Sequence, residues 1–186
     1  MSHIIAASPD ANKPMFTDLR ALASACRRIK SLELVIPAGA EIRARRQGDN
    51  IVTVLVRDGV EIAPEMSYRT YEGKTPGAAA IVRVIAGNER THEVGIVPDP
   101  ARPGCYNALL DPYAGGRGLL EHTGKQSEDI LEALGTLLMH YAISVDEFVA
   151  NELGHGYVAR QLPDGSWVAD ITVPNVRVSP EAMVAY

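Results

Sequence analysis

The octet Ala79-Ala80-Ile81-Val82-Arg83-Val84-Ile85-Ala86 constrains this chain more than any other stretch. It is short, apolar and rich in β-branched residues, and Gly87-Asn88-Glu89-Arg90 ends it with a run of turn formers, so it reads as a strand. The chain then returns through Thr91 to Val97, with Val94 and Ile96 on one face. Two strands joined by so short a connection lie antiparallel. Pro98, Pro100 and Pro103 break the sheet into a rigid loop, and Cys105 to Leu110 reads as a further short strand.

Other segments repeat this hairpin grammar. Leu32 to Ile36 reads as a strand closed by Pro37-Ala38-Gly39. Within Glu41 to Arg69, the run Ile51 to Val56, the turn Asp58-Gly59 and the return Val60 to Ala63 predict a two-stranded excursion with polar flanks, laid on the main domain. The chain closes with Tyr157 to Leu162, the turn Pro163-Asp164-Gly165-Ser166, and Trp167 to Val173.

Between the hairpins the period changes to that of a helix. Phe16, Leu19, Leu22, Ala23, Cys26 and Ile29 recur at three- and four-residue steps and predict a helix over 16–30, capped by Thr17 or the residues just before it. Ile130, Leu131, Leu134, Leu137, Leu138 and Tyr141 predict a second over 126–142, opened by Ser127, Glu128 and Asp129. Ser144 reads as the cap of a third, with Val145, Phe148, Val149 and Leu153 inward and Gly154 and Gly156 as its stop. Hairpins mixed with helices predict an α+β fold, a mostly antiparallel sheet packed by about three helices. The expected organisation is one domain over 1–173 with a hairpin insertion at 38–70, then an extended tail over 174–186.

Composition narrows the function classes. At 46% hydrophobic and 22% charged residues, the 186-residue chain is neither disordered nor fibrous. No apolar run approaches the roughly 18 residues of a membrane-spanning helix, and Met1 to Asp10 lacks the basic start of a secretory signal. Cys26 and Cys105 make no disulfide framework, so the expectation is a cytoplasmic protein with reduced thiols and no membrane partner. The net charge of −5 disfavours a dedicated nucleic-acid binder.

Each chemical motif has a bland counterpart. Gly118, Gly124, Lys125 and Ser127 suggest a phosphate loop. Five residues rather than four precede Gly124-Lys125, however, and Gln126 stands where the hydroxyl belongs. What survives is an anion held at a helix start by Arg117, Lys125 and Ser127. His140, Glu152 and His155 are the candidate metal ligands; Glu152 and His155 have the i, i+3 spacing of carboxylate-bridged metal bundles, in one copy where such sites need two. Cys105 is a candidate nucleophile if a base lies near it, whereas Cys26 falls on an apolar helix face. Arg27 and Arg28, with Lys30, and Arg43, Arg45 and Arg46 form two early basic patches able to meet phosphate, while residues 119–153 carry seven acids against Lys125 alone. Tyr106, Tyr113, Arg117 and Trp167 are of the types that anchor protein contacts.

Several landmarks together resemble a known family. Met1-Ser2-His3-Ile4, Asp18-Leu19-Arg20-Ala21-Leu22, the Ile96 strand, His140-Tyr141-Ala142 and the Pro163-Asp164-Gly165-Ser166 hairpin resemble the plastid hypothetical reading-frame-thirty-five family, with relatives in cyanobacteria, other bacteria and phages. The resemblance covers roughly 1–30 and 79–173; residues 38–70 are an addition to the family's usual length. It implies a small cytosolic accessory protein, in some genomes encoded near an AAA-type ATPase, and offers no catalytic residues.

The leading expectation is therefore a non-enzymatic accessory protein without a cofactor. It would act by protein–protein contact through residues 111–122 and the final hairpin, on an AAA-type ATPase or on a second copy of itself. The rivals are a small enzyme or metal-binding protein using Cys105 or His140, Glu152 and His155, and a nucleic-acid-associated regulator using the early basic patches.

Overall fold

The computed structural model describes residues 5–48 without 8–14, and residues 50–174; residues 5–7 and 50 are described by their backbone alone. The Met1-Ser2-His3-Ile4 landmark and nearly all of the expected tail lie outside these residues. The fold is α+β. The chain separates into two compact units, Met1–Ser144 and Val145–Tyr186.

The first unit is built on a five-stranded sheet in the order β1 (Ile5–Ala7), β10 (Tyr106–Leu110), β9 (Val94–Pro98), β8 (Ala80–Val84), β2 (Leu32–Val35), antiparallel at every pairing. Its centre is the pair expected from the octet: Ala80 sits opposite Ile96, and Val82 opposite Val94, all fully buried. Helix α1 (Leu19–Ile29) buries Leu19, Leu22 and Cys26 as its period requires. It begins three residues later than expected. Asp18 is the cap, its carboxylate accepting from the amides of Arg20 and Ala21, whereas Phe16 pairs as an isolated bridge with Tyr106.

The 41–69 segment departs from expectation. It holds a three-stranded sheet, β3 (Glu41–Gln47), β4 (Asn50–Arg57) and β5 (Val60–Glu61), and then opens a separate hairpin, β6 (Met66–Thr70) with β7 (Gly73–Ala78), that runs on beyond it. Strand β4 is no surface ribbon: Val52, Thr53, Val54, Leu55 and Val56 are all at most 6% exposed. The Thr53 hydroxyl accepts from the Leu19 amide at 2.7 Å, and the Tyr106 hydroxyl donates to the Thr53 carbonyl at 2.8 Å. Above them the Tyr141 hydroxyl accepts from the amides of Thr17 and Asp18. The start of α1 is thus satisfied by side chains from β4 and from far along the chain. The β6–β7 hairpin packs Tyr68 and Ala78 with Ile81, and a Cβ at Gly95 would stand 2.4 Å from the Tyr68 ring, so glycine is what lets the hairpin close on β9.

Past β10 the chain makes a 3₁₀ turn (Tyr113–Gly118) and two short helices, α2 (Leu120–Thr123) and α3 (Ile130–Ala133), then α4 (Gly135–Glu152). The expected helix over 126–142 is broken at Leu134, and the expected stop before Ser144 is absent. Ser144 is fully buried inside α4 and caps nothing. The Ser-x-x-Glu spacing of Ser144 and Glu147 mimics a helix start, but Leu137, Tyr141 and Ser144 itself fall on one buried face and the helix continues. No helix among the described residues is long and apolar enough to cross a membrane.

The second unit holds the end of α4 and the closing hairpin. Gly154, in the left-handed region at φ +72°, ends the helix, and the His155 amide returns to the Ala150 carbonyl. Strands β11 (Gly156–Gln161) and β12 (Trp167–Thr172) pair from Gly156↔Thr172 to Gln161↔Trp167. The Asp164 carboxylate accepts from both the amide and the hydroxyl of Ser166 across the turn, as its sequence predicts.

Candidate functional site

A buried carboxylate organises the most unusual surface of the first unit. Asp111, just past β10, is fully buried, and each of its oxygens takes one backbone amide: Oδ2 from Tyr71 at 2.9 Å and Oδ1 from Tyr113 at 2.9 Å. Tyr71 belongs to the β6–β7 turn and Tyr113 to the 3₁₀ turn, so one side chain couples two loops 42 positions apart in sequence. Their rings meet with centroids 4.4 Å apart and planes at 56°, and both are about half exposed. The Arg117 guanidinium lies 5.2 Å from the centre of the Tyr71 ring.

The backbone beneath is strained. Ala114, Gly115, Gly116 and Arg117 all adopt left-handed angles, with φ between 49° and 64°. An alanine or arginine there costs of order 1 kcal/mol or more and persists only where the surroundings impose it. His92, 1% exposed, supplies the restraint: its amide donates to the Gly116 carbonyl at 3.0 Å and its ring Nδ1 meets the Asp111 carbonyl at 3.0 Å. A carbonyl only accepts, so Nδ1 is the donor, and Nε2 is left without a hydrogen-bond partner. The left-handed turn brings the Arg117 side chain back over Tyr71. The result is a rigid platform of two tyrosines and one arginine whose rotamers need little further ordering on contact.

Of the expected contact residues, the structure unites Tyr113 and Arg117. Tyr106 does not join them: it is 5% exposed and its hydroxyl is spent on Thr53, so it is an internal strut. Trp167 stands partly buried on β12 of the second unit. Tyr71 is not among the expected contact residues; its signal in the sequence is a tyrosine immediately before Glu72-Gly73, a turn dipeptide between two strand-like runs.

The other candidates fare as follows. For the anion site, Lys125 is exposed with its amide bound to the Glu132 carbonyl, and the Asp129 carboxylate itself accepts from the Leu131 amide at the start of α3. Ser127 accepts from the Asp129 amide, so the helix start already holds its own anion. Among the described residues no three His, Cys, Asp or Glu side chains gather around one point that could hold a metal. Burial, then the charge of Arg28, pushes the His140 imidazole below its ordinary range; Glu152 ends α4 and His155 lies beyond the Gly154 stop. Burial raises the Cys105 thiol, with Arg102 only partly opposing it, and pushes Cys26 up to about 12, so neither is a ready thiolate at neutral pH. On β3, Arg43 pairs with Glu41 and Arg45 with Glu61, while Arg46 is exposed. The basic run is thereby largely neutralised. Arg27 is exposed at the end of α1 and Arg28 is partly buried, both suited to the helix's negative end. No family model, curated protein or solved structure matches the chain.

Proposed function

We propose that this chain is an accessory protein that acts by protein–protein contact, with Tyr71, Tyr113 and Arg117 as the anchor of its docking surface. The single observation that carries the reading is the Asp111 carboxylate, which fixes the backbones of both tyrosines while their rings remain half exposed. Tyrosine and arginine dominate the energetics of protein interfaces, and a ring immobilised beforehand loses little entropy on binding. The left-handed 114–117 backbone, held by the buried His92 amide at Gly116, is the kind of local cost that functional sites carry. The resemblance described above points to an AAA-type ATPase as one partner class, and a second copy of the chain is the other.

The test is a pair of measurements on the full chain. Sedimentation across a concentration series detects self-association, and cross-linking followed by capture in the source cell detects a foreign partner. The double variant Tyr71→Ala with Tyr113→Ala should abolish the association found while the far-UV spectrum stays unchanged and the unfolding midpoint falls by only a few degrees. An association indifferent to both tyrosines and to Arg117→Glu would refute the reading.

A further inference from the structure

A second feature of the first unit lies on a different set of side chains. A cleft of about 340 Å³ opens beside the turn that joins β8 to β9, lined by Arg69, Arg83, Asn88, Glu89 and Glu93 together with Val84, Ile85 and Thr91. Its volume is that of a small-molecule site.

The guanidinium of Arg69 is unusually well fixed. Nη1 donates to the carbonyls of Asn88 at 3.1 Å and Thr91 at 3.0 Å. The backbone of Arg69 is tied to Glu93 twice, its amide donating to Oε2 at 2.8 Å and its carbonyl accepting from the Glu93 amide at 3.0 Å. Glu93 Oε1 stands 3.8 Å from Nη2, which offsets charge but is too long for a hydrogen bond. The Nε–Nη2 edge, the fork that grips a carboxylate with two parallel bonds, is therefore unfilled. Arg83 is arranged alike: Nε is held by Glu33 at 2.7 Å and the rest of a half-exposed guanidinium remains.

Both signs line the cleft, Arg69 and Arg83 with Glu89 and Glu93, and Arg83 is already paired with Glu33, which leaves Arg69 as the cation beside the two glutamates. A lining with both signs side by side favours a ligand that carries both signs over a simple anion, because each ligand charge then meets an opposite one. We infer that the cleft binds a small zwitterion bearing a carboxylate and a protonated amine, a free α-amino acid in chemical class, with the carboxylate on the Arg69 fork and the amine toward Glu89 and Glu93. Val84, Ile85 and the Thr91 methyl offer an apolar wall to a small side chain.

The experiment is an NMR titration of the ¹⁵N-labelled full chain, read at the Arg69 Nε–H and the amides of residues 88–93. The probes are each of the common free amino acids and, separately, acetate, methylammonium and inorganic phosphate. At least one amino acid should shift these signals saturably, with the three simple ions about tenfold weaker or worse, since each can use only half of the lining. Arg69→Lys keeps the charge but loses the fork and should abolish the shifts. Arg83→Gln, at a half-exposed position, should weaken binding about threefold while the remaining spectrum stays in place. It carries the test if the lysine variant does not fold. Absence of a saturable shift with any amino acid overturns the inference. So does phosphate or acetate binding as tightly as the best amino acid, or an Arg83→Gln affinity equal to that of the parent.

Discussion

Thr53 and Asp111 are both fully buried polar residues, and both bind backbone groups far away in sequence, yet they end in opposite places. Thr53 accepts from Leu19, lies within reach of the Thr17 carbonyl and is itself capped by Tyr106. Everything it touches is inside or at the start of a helix whose first amides need partners. Asp111 also satisfies two amides, but those amides belong to residues whose rings stand half in solvent. The first is a joint closed on itself. The second transmits the rigidity of the core to a surface, beside a left-handed backbone turn. A buried polar group is explained by structure alone when all its partners are buried, and suggests function when it orients something exposed.

Removing the second joint should have the largest effect. Asp111→Ala leaves the Tyr71 and Tyr113 amides without their charged acceptor, so it should cost about 3 kcal/mol. Chemical denaturation measures the loss, and amide exchange at Tyr71 and Tyr113 should rise well beyond that of β8 and β9. Thr53→Val keeps the shape of the side chain but strands the buried Leu19 amide, and should cost about 2 kcal/mol in the same assay. It should leave exchange at Tyr71 and Tyr113 unchanged. If Thr53→Val loosened the tyrosines as much as Asp111→Ala, the contrast between the joints would fail. Tyr71→Ala removes only the stacked ring and should cost about 1 kcal/mol, while eliminating the proposed association. A large stability loss here would move Tyr71 from the docking surface into the structural class.

The smallest effect is one of acidity. Asp99, at the end of β9, accepts from the Ala101 amide and from Arg102. Those hydrogen bonds, the Ala101 amide first, hold its carboxyl below the usual carboxylate range despite opposing burial. A lowered folded value means that the stabilisation is fully present above pH of about 4 and disappears as pH falls through the folded value. Exchange of the Ala101 amide followed from pH 5 to 2 should show the loop at 99–105 loosening in that window. An Asp99→Asn variant should already be loosened at pH 6 and show no such transition. A wild-type transition lying above pH 5 would contradict the sign.

Elements whose signal is local were legible. The β8–β9 pair, α1, and the Pro163-Asp164-Gly165-Ser166 hairpin each depend on side-chain period or on turn chemistry within a few residues. The failures have a common cause. Strand β3, Glu-Ile-Arg-Ala-Arg-Arg-Gln, is exposed nearly throughout and shows no apolar face, so only its pairing to β4 makes it a strand. The hairpin β6–β7 contains Gly73, Pro76 and Gly77, and is held by Tyr68 packing over Gly95 rather than by propensity. Gly124 is of the same kind: a Cβ there would stand 2.3 Å from the Glu132 carbonyl, a closeness no neighbour in sequence announces. In the candidate site, Tyr113 and Arg117 could be singled out by residue type, but Tyr106 by the same reasoning belongs to the core.

Apolar spacing and turn residues alone determined that this chain makes an antiparallel sheet with amphipathic helices, because those preferences are settled between residues a few positions apart. Tertiary structure alone decided that the segment around Thr53 runs through the core and that Tyr71 meets Tyr113. Both depend on backbone amides finding acceptors tens of residues away. Such a pairing is enforced by the cost of leaving a buried donor unmet, which exists only once the chain has closed around it.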